Sequence, residues 1–478
     1  MMINSKIPLR YALFFLANIL YIIFLLIVVD WDLIIKGYKI TAVLPFCYIF
    51  CFFLLLWKPV INKKSPFVVL FSFIAFIRYF VLSILILSNG GYEGISGLDP
   101  SNNSLNLAAI LMIYELIIVS IFVNIWSNKY IPEPLQLKNI RTQKQTYVYL
   151  AFILIIIITI IIIPEAHQGL SFLGSINLNV EDNEALSNIF ILGIRECFIN
   201  AKYFLIFVFI TIFSSYKGQL KVDISFAKYL VLLLLSFIVI GLRIGINRKK
   251  LLADTLAISL LLGTLFPKYK RITYFSLIAV GTILVAYTTF YRGMIESYDD
   301  FFDDFFDVDF FQAYFLGQYN VAIAIESIKF SSYYLNFKSL LYDLFRSVFG
   351  IGSLLKNIDI LVASDLFINR MSIGLSSIRK SQIIPLIGQG YVYLGVLLAP
   401  LFSLIFCRIG IFCDRLYRTT QQLEITFLSC YGSFYLAQFM ILNMNIILKN
   451  TSFLLAIFIP VFLLNKFFSG LMIKKKSL

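Results

Sequence analysis

The sequence predicts an all-α protein that crosses a lipid bilayer many times. Hydrophobic residues make up 60% of its 478 residues and charged residues only 14%, whereas soluble domains average about 25% charged. The mean hydropathy is +0.89. Several apolar runs reach the length of about 20 residues that spans a bilayer as a helix. These observations exclude an ordinary soluble domain.

Twelve apolar segments are predicted as transmembrane helices. The first follows Lys6 and Arg10 and has no small-residue cleavage site after it, which predicts a retained helix and not a removed signal peptide. The sixth contains Arg195, Glu196 and Lys202, so a re-entrant piece plus a span is the alternative there. The segments are 11–29, 40–57, 66–88, 105–126, 146–163, 188–214, 229–242, 251–266, 272–290, 389–407, 422–442 and 451–467.

The distribution of Lys and Arg predicts the orientation of these helices. With a cytoplasmic N-terminus, 22 of the 40 Lys and Arg residues fall on the inner side, and every short inner connection has at least two. The outer connections 89–104 and 164–187 have none. This positive-inside pattern predicts that both termini are cytoplasmic. It also accounts for most of the net charge of +14 without a nucleic-acid partner.

One short outer connection departs from this pattern. Residues 241–250, GLRIGINRKK, carry Arg243, Arg248, Lys249 and Lys250. Cations kept on the outer side against the positive-inside rule favour an anionic ligand there. The alternative is that they pair with lipid phosphate.

The segment 291–388 predicts a large outer loop. At 98 residues it is long enough to form structure of its own and to escape the charge rule. Its stretch 298–311 places Phe and Asp on opposite arcs of an amphipathic helix, and 339–355 predicts a second amphipathic piece, re-entrant or interfacial. The chain is thus divided into nine helices within 1–290, this loop, and three helices with a basic cytoplasmic tail within 389–478.

Metal chemistry is not indicated by the sequence. None of the six cysteines forms a CxxC pair, and most lie in or beside apolar segments, where free Cys behaves as a small hydrophobe. His167 is the single histidine, so a zinc site built from His and Cys is not expected. We predict a site without metal or cofactor. Its arginines would bind phosphate, because the planar guanidinium contacts two oxygens at once.

Two short motifs resemble the Wzy-type O-antigen polymerases, which join oligosaccharide repeat units. The first is a Gly-Arg-rich turn, and the second is a Pro–Gly–Tyr–Gly entry to a late helix. Relatives often have Glu where this chain has Gln389, which weakens an acidic role at that position. The motif residues are Gly241, Arg243 and Gly245 in the first, and Pro385, Gly388, Tyr391 and Gly395 in the second.

The resemblance implies a fold related to the GT-C-type lipid-sugar glycosyltransferases of the bacterial inner (plasma) membrane. It implies transfer of a growing glycan from undecaprenyl diphosphate onto another lipid-linked repeat unit, with a chain-length regulator and a flippase as partners. Carried onto this sequence, it assigns catalytic roles to Arg243 and Arg248, with Glu296 or Asp299 as general base by position. The expected substrate-binding residues are Arg292, Arg370, Arg379, Lys380 and Tyr391.

Three other functions remain open at this point. O-antigen ligases share this layout but usually have a functional His in the large loop, and 291–388 has none. A glycosyltransferase that uses polyprenyl monophosphate sugars would explain Asp30 and Asp32 in the first outer connection. A lipid-sugar flippase or other transporter would suit twelve helices, but the chain has no two-fold internal repeat and a flippase would not need so long a loop.

Overall fold

The computed structural model describes residues 9–94, 96–131, 140, 146–167, 170–172, 189–214, 224–244, 248–295, 308–329, 335–355, 358, 360–375 and 382–476. Within these ranges seven helices are long and apolar enough to cross a membrane, or eight if one bent pair forms a single span. The prediction of an all-α membrane protein is confirmed. The number of twelve crossings stays a prediction.

The helices are numbered here in chain order within the described ranges. The first nine are α1 Leu9–Ile27, α2 Lys36–Leu56, α3 Pro66–Ser88, α4 Asn102–Tyr130, α5 Tyr147–Ile162, α6 Ile189–Ser214, α7 Phe226–Gly241, α8 Arg248–Leu265 and α9 Lys270–Ile295. The others are α10 Val308–Phe315, α11 Gln318–Lys329, α12 Phe337–Arg346, α13 Ile351–Leu354, α14 Ala363–Met371, α15 Leu386–Leu398, α16 Leu401–Thr419, α17 Leu423–Leu436 and α18 Met444–Lys476. Two short strands, β1 Leu170–Phe172 and β2 Leu242–Ile244, pair antiparallel.

Each of the twelve predicted segments overlaps a helix, but two differ in shape. The segment predicted at 389–407 is not one straight helix, because α15 and α16 meet at an angle of 107°. Gly395, with φ 71° and ψ −176°, also interrupts α15, and this backbone conformation favours glycine. Within the segment predicted at 422–442, the α-helix already ends at Leu436. Both differences are breaks within an apolar run, which hydropathy alone does not reveal.

Connections predicted on the outer side contact one another. At the start of α2, the Gly37 N–H donates to Asn102 Oδ1 at the start of α4 (2.9 Å). Between α3 and α4, the Ser96 N–H donates to the Tyr319 hydroxyl of α11 (2.8 Å). Strands β1 and β2 join the α5–α6 connection to the α7–α8 connection. These contacts gather one set of helix ends on one side of the bundle.

Connections predicted on the inner side also contact one another. Lys63, between α2 and α3, donates through Nζ to the carbonyl of Ser127 at the end of α4 (2.8 Å). Arg418, at the end of α16, donates through Nη2 to the carbonyl of Lys64 (3.2 Å). These contacts gather a second set of helix ends on the other side of the bundle. The alternation of all twelve predicted crossings stays a prediction. Which of the two sides is cytoplasmic stays a prediction.

Side chains from two helices cap the start of α3. Ser65 Oγ accepts from the Val68 N–H (3.3 Å), an N-cap bond. The buried Asp414 of α16 accepts from the Phe67 N–H (3.3 Å) and from Ser65 Oγ. A carboxylate at this position complements the positive end of the helix dipole. The contact fixes the inner end of α16 against α3.

A buried ion pair lies halfway along α3. A π-helical stretch, Phe76–Val81, carries Arg78, and Arg78 Nη1 lies 3.1 Å from Glu115 Oε2 of α4 with both side chains fully buried. Ser403 of α16 donates to Glu115 Oε1 (2.5 Å), and Arg78 Nε donates to the Leu316 carbonyl (3.2 Å). Because a buried charge without partners is very costly, this pair fixes the position of the α10–α11 turn.

Helix α11, within the predicted outer loop 291–388, belongs to the core of the protein. All of its residues from Gln318 to Ser327 are buried. A helix buried all round needs partners for its polar groups, and Gln318 Nε2 donates to the carbonyls of Gly37 (3.0 Å) and Leu105 (2.9 Å). The predicted loop therefore contributes a helix to the packed bundle.

We expect thiol labelling to distinguish the two sides of this arrangement. In a chain whose six native cysteines are replaced by alanine, Asn103→Cys and Thr419→Cys place single thiols at exposed positions on opposite sides. A membrane-impermeant maleimide should label Asn103→Cys in intact spheroplasts and Thr419→Cys only after permeabilisation. Equal labelling of both before permeabilisation would contradict the predicted orientation, and labelling of both afterwards is the control for reactivity.

Candidate functional site

We call residues 241–250, from the end of α7 to the start of α8, the basic turn. It includes β2, which pairs with β1. In β2, Arg243 stands opposite Ser171 of β1 in the antiparallel register. The structure describes the backbone of Arg243 but not its side chain, and residues 245–247 lie outside the described residues. The predicted outer connections 164–187 and 243–250 are thus hydrogen-bonded to each other.

Residues of α6 anchor the basic turn. Lys202 Nζ donates to the Leu242 carbonyl (2.9 Å) and to Asp254 Oδ2 of α8 (2.8 Å). The neighbouring Tyr203 hydroxyl donates to Asp254 Oδ1 (2.5 Å). Lys202 and Asp254 are buried, and their mutual hydrogen bonds offset the desolvation of the two charges. Lys202, one of the charged residues in the sixth predicted span, therefore connects the start of the basic turn to α8.

Arg248 joins the basic turn to the predicted long outer loop. Its Nη2 donates to the Thr288 carbonyl of α9 (3.1 Å). Its guanidinium also stacks over the ring of Tyr314 in α10, with 4.7 Å between Cζ and the ring centroid. A cation above an aromatic face is attracted by the ring quadrupole. The structure thus brings together two basic outer regions that lie far apart in the sequence.

Lys249 contacts a break between the last two long helices. We call this segment, residues 437–443 between α17 and α18, the helix break. Lys249 Nζ donates to the Ile441 carbonyl, and Gln438 Nε2 donates to the Lys249 carbonyl (3.0 Å). Burial, together with the neighbouring Arg248 charge, lowers the pKa of Lys249 to about 7. The turn and the break are thus fixed to each other by two reciprocal hydrogen bonds.

The far side of the helix break is held by a network of polar side chains around Asp343. Gln389 of α15 accepts from the Met444 N–H (2.9 Å) and donates to Asp343 Oδ2 of α12 (2.9 Å). Asp343 also accepts from Asn445 Nδ2 (2.6 Å) and from the Tyr393 hydroxyl (2.9 Å). Because these buried groups satisfy one another, the network is a rigid structural connection and not an open binding pocket.

Arg346 lies at the edge of the Asp343 network. Its Nε is 3.0 Å from Asp343 Oδ1, and its Nη2 donates to Ser364 Oγ (2.7 Å). Nη1 lies 3.8 Å from Asp365 Oδ2. The side chain of Arg346 is 28% exposed, whereas that of Asp343 is fully buried. Among the described residues, two carboxylates beside one guanidinium give this edge a net negative charge, which disfavours an anion.

The basic turn, by contrast, is rich in positive charge. Lys202, Arg248, Lys249 and Lys250 lie close together in the described part of the site, where Lys202 pairs with Asp254 and Lys250 with Glu196. In a low-dielectric bundle these cations favour a bound anion more strongly than they would in water. Lys250 Nζ lies 3.7 Å from Glu196 Oε2 of α6.

The predicted substrate-binding residue Arg370 lies in a different environment. Arg370 Nη2 is 2.5 Å from Glu326 Oε2 of α11, and both side chains are buried. Its Nη1 donates to the carbonyl of Leu98 (3.0 Å). Burial opposes ionisation of Glu326, but hydrogen bonds from Ser101 and Arg370 outweigh it and hold the pKa of Glu326 below its usual value. This geometry favours a structural role for Arg370 over contact with a substrate.

The structure describes only part of the remaining predicted site. Tyr391 lies in α15, where its partly buried ring packs against the core. Arg292 lies near the end of α9, but its side chain is not described. Glu296, Asp299, Arg379 and Lys380 lie outside the described residues.

Sequence reasoning missed the helix break and the residues around it. Gln438, Asn443 and Asn445 interrupt an apolar run, "QFMILNMN", and amide side chains of this kind are the signal that a helix ends within a bilayer-length segment. Asp343 gave no such signal, because its partners Gln389 and Asn445 lie 46 and 102 residues away.

No protein-family model, curated protein or solved structure matches the chain. The charges and contacts of the basic turn therefore carry the functional proposal.

The structural role of Arg370 can be measured as stability. Glu326→Leu should destabilise the purified protein by about 3–5 kcal/mol, because it leaves a buried guanidinium without its carboxylate. The double variant Glu326→Leu/Arg370→Met should recover most of this loss in chemical unfolding in mild detergent. The exposed Lys329 of the same helix is the matched control, and Lys329→Met should change stability by less than about 0.5 kcal/mol. A single variant as stable as the wild type would refute the structural role.

Proposed function

We propose that the protein is a glycosyltransferase of the bacterial plasma membrane that joins lipid-linked oligosaccharide repeat units into a surface polysaccharide. In this proposal the chain crosses the membrane twelve times, with a fold related to the GT-C-type lipid-sugar glycosyltransferases. The donor and the acceptor are both linked to undecaprenyl diphosphate. Transfer takes place on the outer side, and the product is an O-antigen or a capsule.

The observation that carries this proposal is the position of Arg248 and Lys249. Both cations lie where predicted outer connections converge, and they contact α9, α10 and the helix break. A lipid diphosphate fits such a position, because its head group is anionic and its tail can remain between the helices or in the bilayer.

The chemistry of transfer gives these cations a function. When the bond from the anomeric carbon to the diphosphate breaks, negative charge develops on the leaving oxygen. A preorganised guanidinium stabilises this charge, and removal of one such donor typically slows catalysis by about 10²–10³-fold. We assign this role to Arg248, whose orientation is fixed by the Thr288 carbonyl and the Tyr314 ring. Arg243, which lies in β2 within the basic turn, is proposed as the second phosphate ligand.

The phenotype of a strain that lacks the gene tests the proposal. On a gel of surface glycans, polymer should vanish while a single repeat unit still reaches its surface acceptor. If no repeat unit reaches the surface, an earlier transferase or a flippase is indicated. If polymer persists without attachment, the protein is a ligase.

Substitution of Arg248 tests the site itself. Arg248→Ala should lower polymer formation by about 100-fold or more, since it removes a charge-assisted contact to the leaving group. The protein should remain in the membrane at the wild-type level, as judged by immunoblot. Arg415→Ala, at an exposed position on the predicted inner side, is the matched control and should leave polymer length unchanged. Wild-type polymer in Arg248→Ala would remove the basic turn from the reaction.

A further inference from the structure

Glycosyl transfer requires a group that removes the proton from the acceptor hydroxyl. Among the described residues of the site, both carboxylates are already engaged. Asp254 is buried and accepts from Lys202 and Tyr203. Glu196 lies 3.7 Å from Lys250. Because both carboxylates are paired with lysine side chains, we do not assign this task to either of them.

Lys249 is placed differently. Its side chain is only partly buried, and its Nζ donates one hydrogen bond, to the Ile441 carbonyl of the helix break. No carboxylate of the described residues pairs with it. An uncharged amine that donates a hydrogen bond to a carbonyl still has its lone pair free to accept a proton.

We propose that Lys249 is the general base of the transfer reaction, an inference that rests on the proposed function. The acceptor oxygen forms the new bond to the anomeric carbon as its proton passes to Lys249 Nζ. The bond between the anomeric carbon and the diphosphate oxygen breaks, and its electron pair leaves with the lipid diphosphate. Protonated Lys249 then releases the proton to water on the outer side, which regenerates the free amine.

The ionisable groups around Lys249 support this assignment. The cations nearest in sequence are Arg248 and Lys250, and α6 contributes Lys202 and Glu196. On α8 the nearest carboxylate is Asp254, which Lys202 neutralises. Burial and the Arg248 charge lower the pKa of Lys249 to about 7. A base with a pKa near the working pH is the most effective proton acceptor.

The assignment can be tested on purified protein in lipid nanodiscs. The probe is the pool of lipid-linked oligosaccharides extracted from a strain that lacks the gene, and the initial rate of polymer formation is measured from pH 5.5 to 9. The wild-type rate should fall as the pH decreases through about 7, because the protonated amine cannot accept a proton. The guanidinium of Lys249→Arg stays protonated over this whole pH range and cannot accept a proton, so its rate should be at least about 100-fold lower throughout.

A matched substitution controls for the chemical change itself. Lys338 is exposed on α12, in the same predicted outer region, and Lys338→Arg should retain the wild-type rate and pH profile. If Lys249→Arg forms polymer at the wild-type rate, the inference is overturned and the proposed function is left intact. Absence of polymer formation by the wild-type protein would instead overturn the proposed function.

Chemical rescue separates a base from a structural residue. Lys249→Ala removes both the amine and its hydrogen bond to Ile441. If Lys249 is the base, added ethylamine should restore a measurable part of the rate, and more basic amines should restore more at a pH where each is neutral. If Lys249 only fixes the helix break, no amine should restore the rate, and the proposal fails.

Discussion

Backbone groups at a helix break inside an apolar bundle must find hydrogen-bond partners within the protein, because hydrocarbon offers none. The helix break at 437–443 depends on this constraint more than any other segment of the described chain. Lys249 binds its Ile441 carbonyl from one side, and Gln389 accepts the Met444 N–H from the other. The same two side chains belong to the basic turn and to the Asp343 network. A single stretch of backbone that needs partners from other helices therefore fixes the relative positions of α8, α12, α15 and α18.

Buried and partly buried cations have different tasks in this protein. Arg78 and Arg370 each have a carboxylate partner, Glu115 and Glu326, and each pair connects two different helices, α3 with α4 and α14 with α11. Such pairs specify which helices are neighbours, although a buried ion pair need not add stability over a well-packed apolar pair. Among the described residues, Lys249 donates to a carbonyl oxygen and pairs with no carboxylate. An arginine or lysine in a membrane sequence is therefore informative about function only when its partner is known.

The sequence was sufficient for the all-α membrane class and for the positions of the helices that overlap the predicted segments, since apolar length depends on local composition. The all-round burial of α11 was not predicted, because a helix with Gln318, Asn320 and Glu326 on its surface looks polar until partners from α2, α4 and α14 are known. The angle of 107° between α15 and α16 was not predicted either, because the bend lies within an apolar run. Arg248 was predicted as a site residue because it is a cation in a predicted outer connection. Its contact with Tyr314 was not predicted, because the two residues are 66 positions apart. Long-range partners of this kind leave no trace in composition or periodicity.

The two proposed roles in the basic turn depend on each other. Burial, together with the nearby Arg248 charge, lowers the pKa of Lys249 to about 7, so the amine is half protonated at neutral pH. A bound diphosphate brings negative charge next to both groups. As the bond to the anomeric carbon breaks, the negative charge that develops on the diphosphate stabilises the lysine that is being protonated. The base then gains strength at the step where the hydroxyl proton must leave, and the charge of the leaving diphosphate increases as the proton arrives.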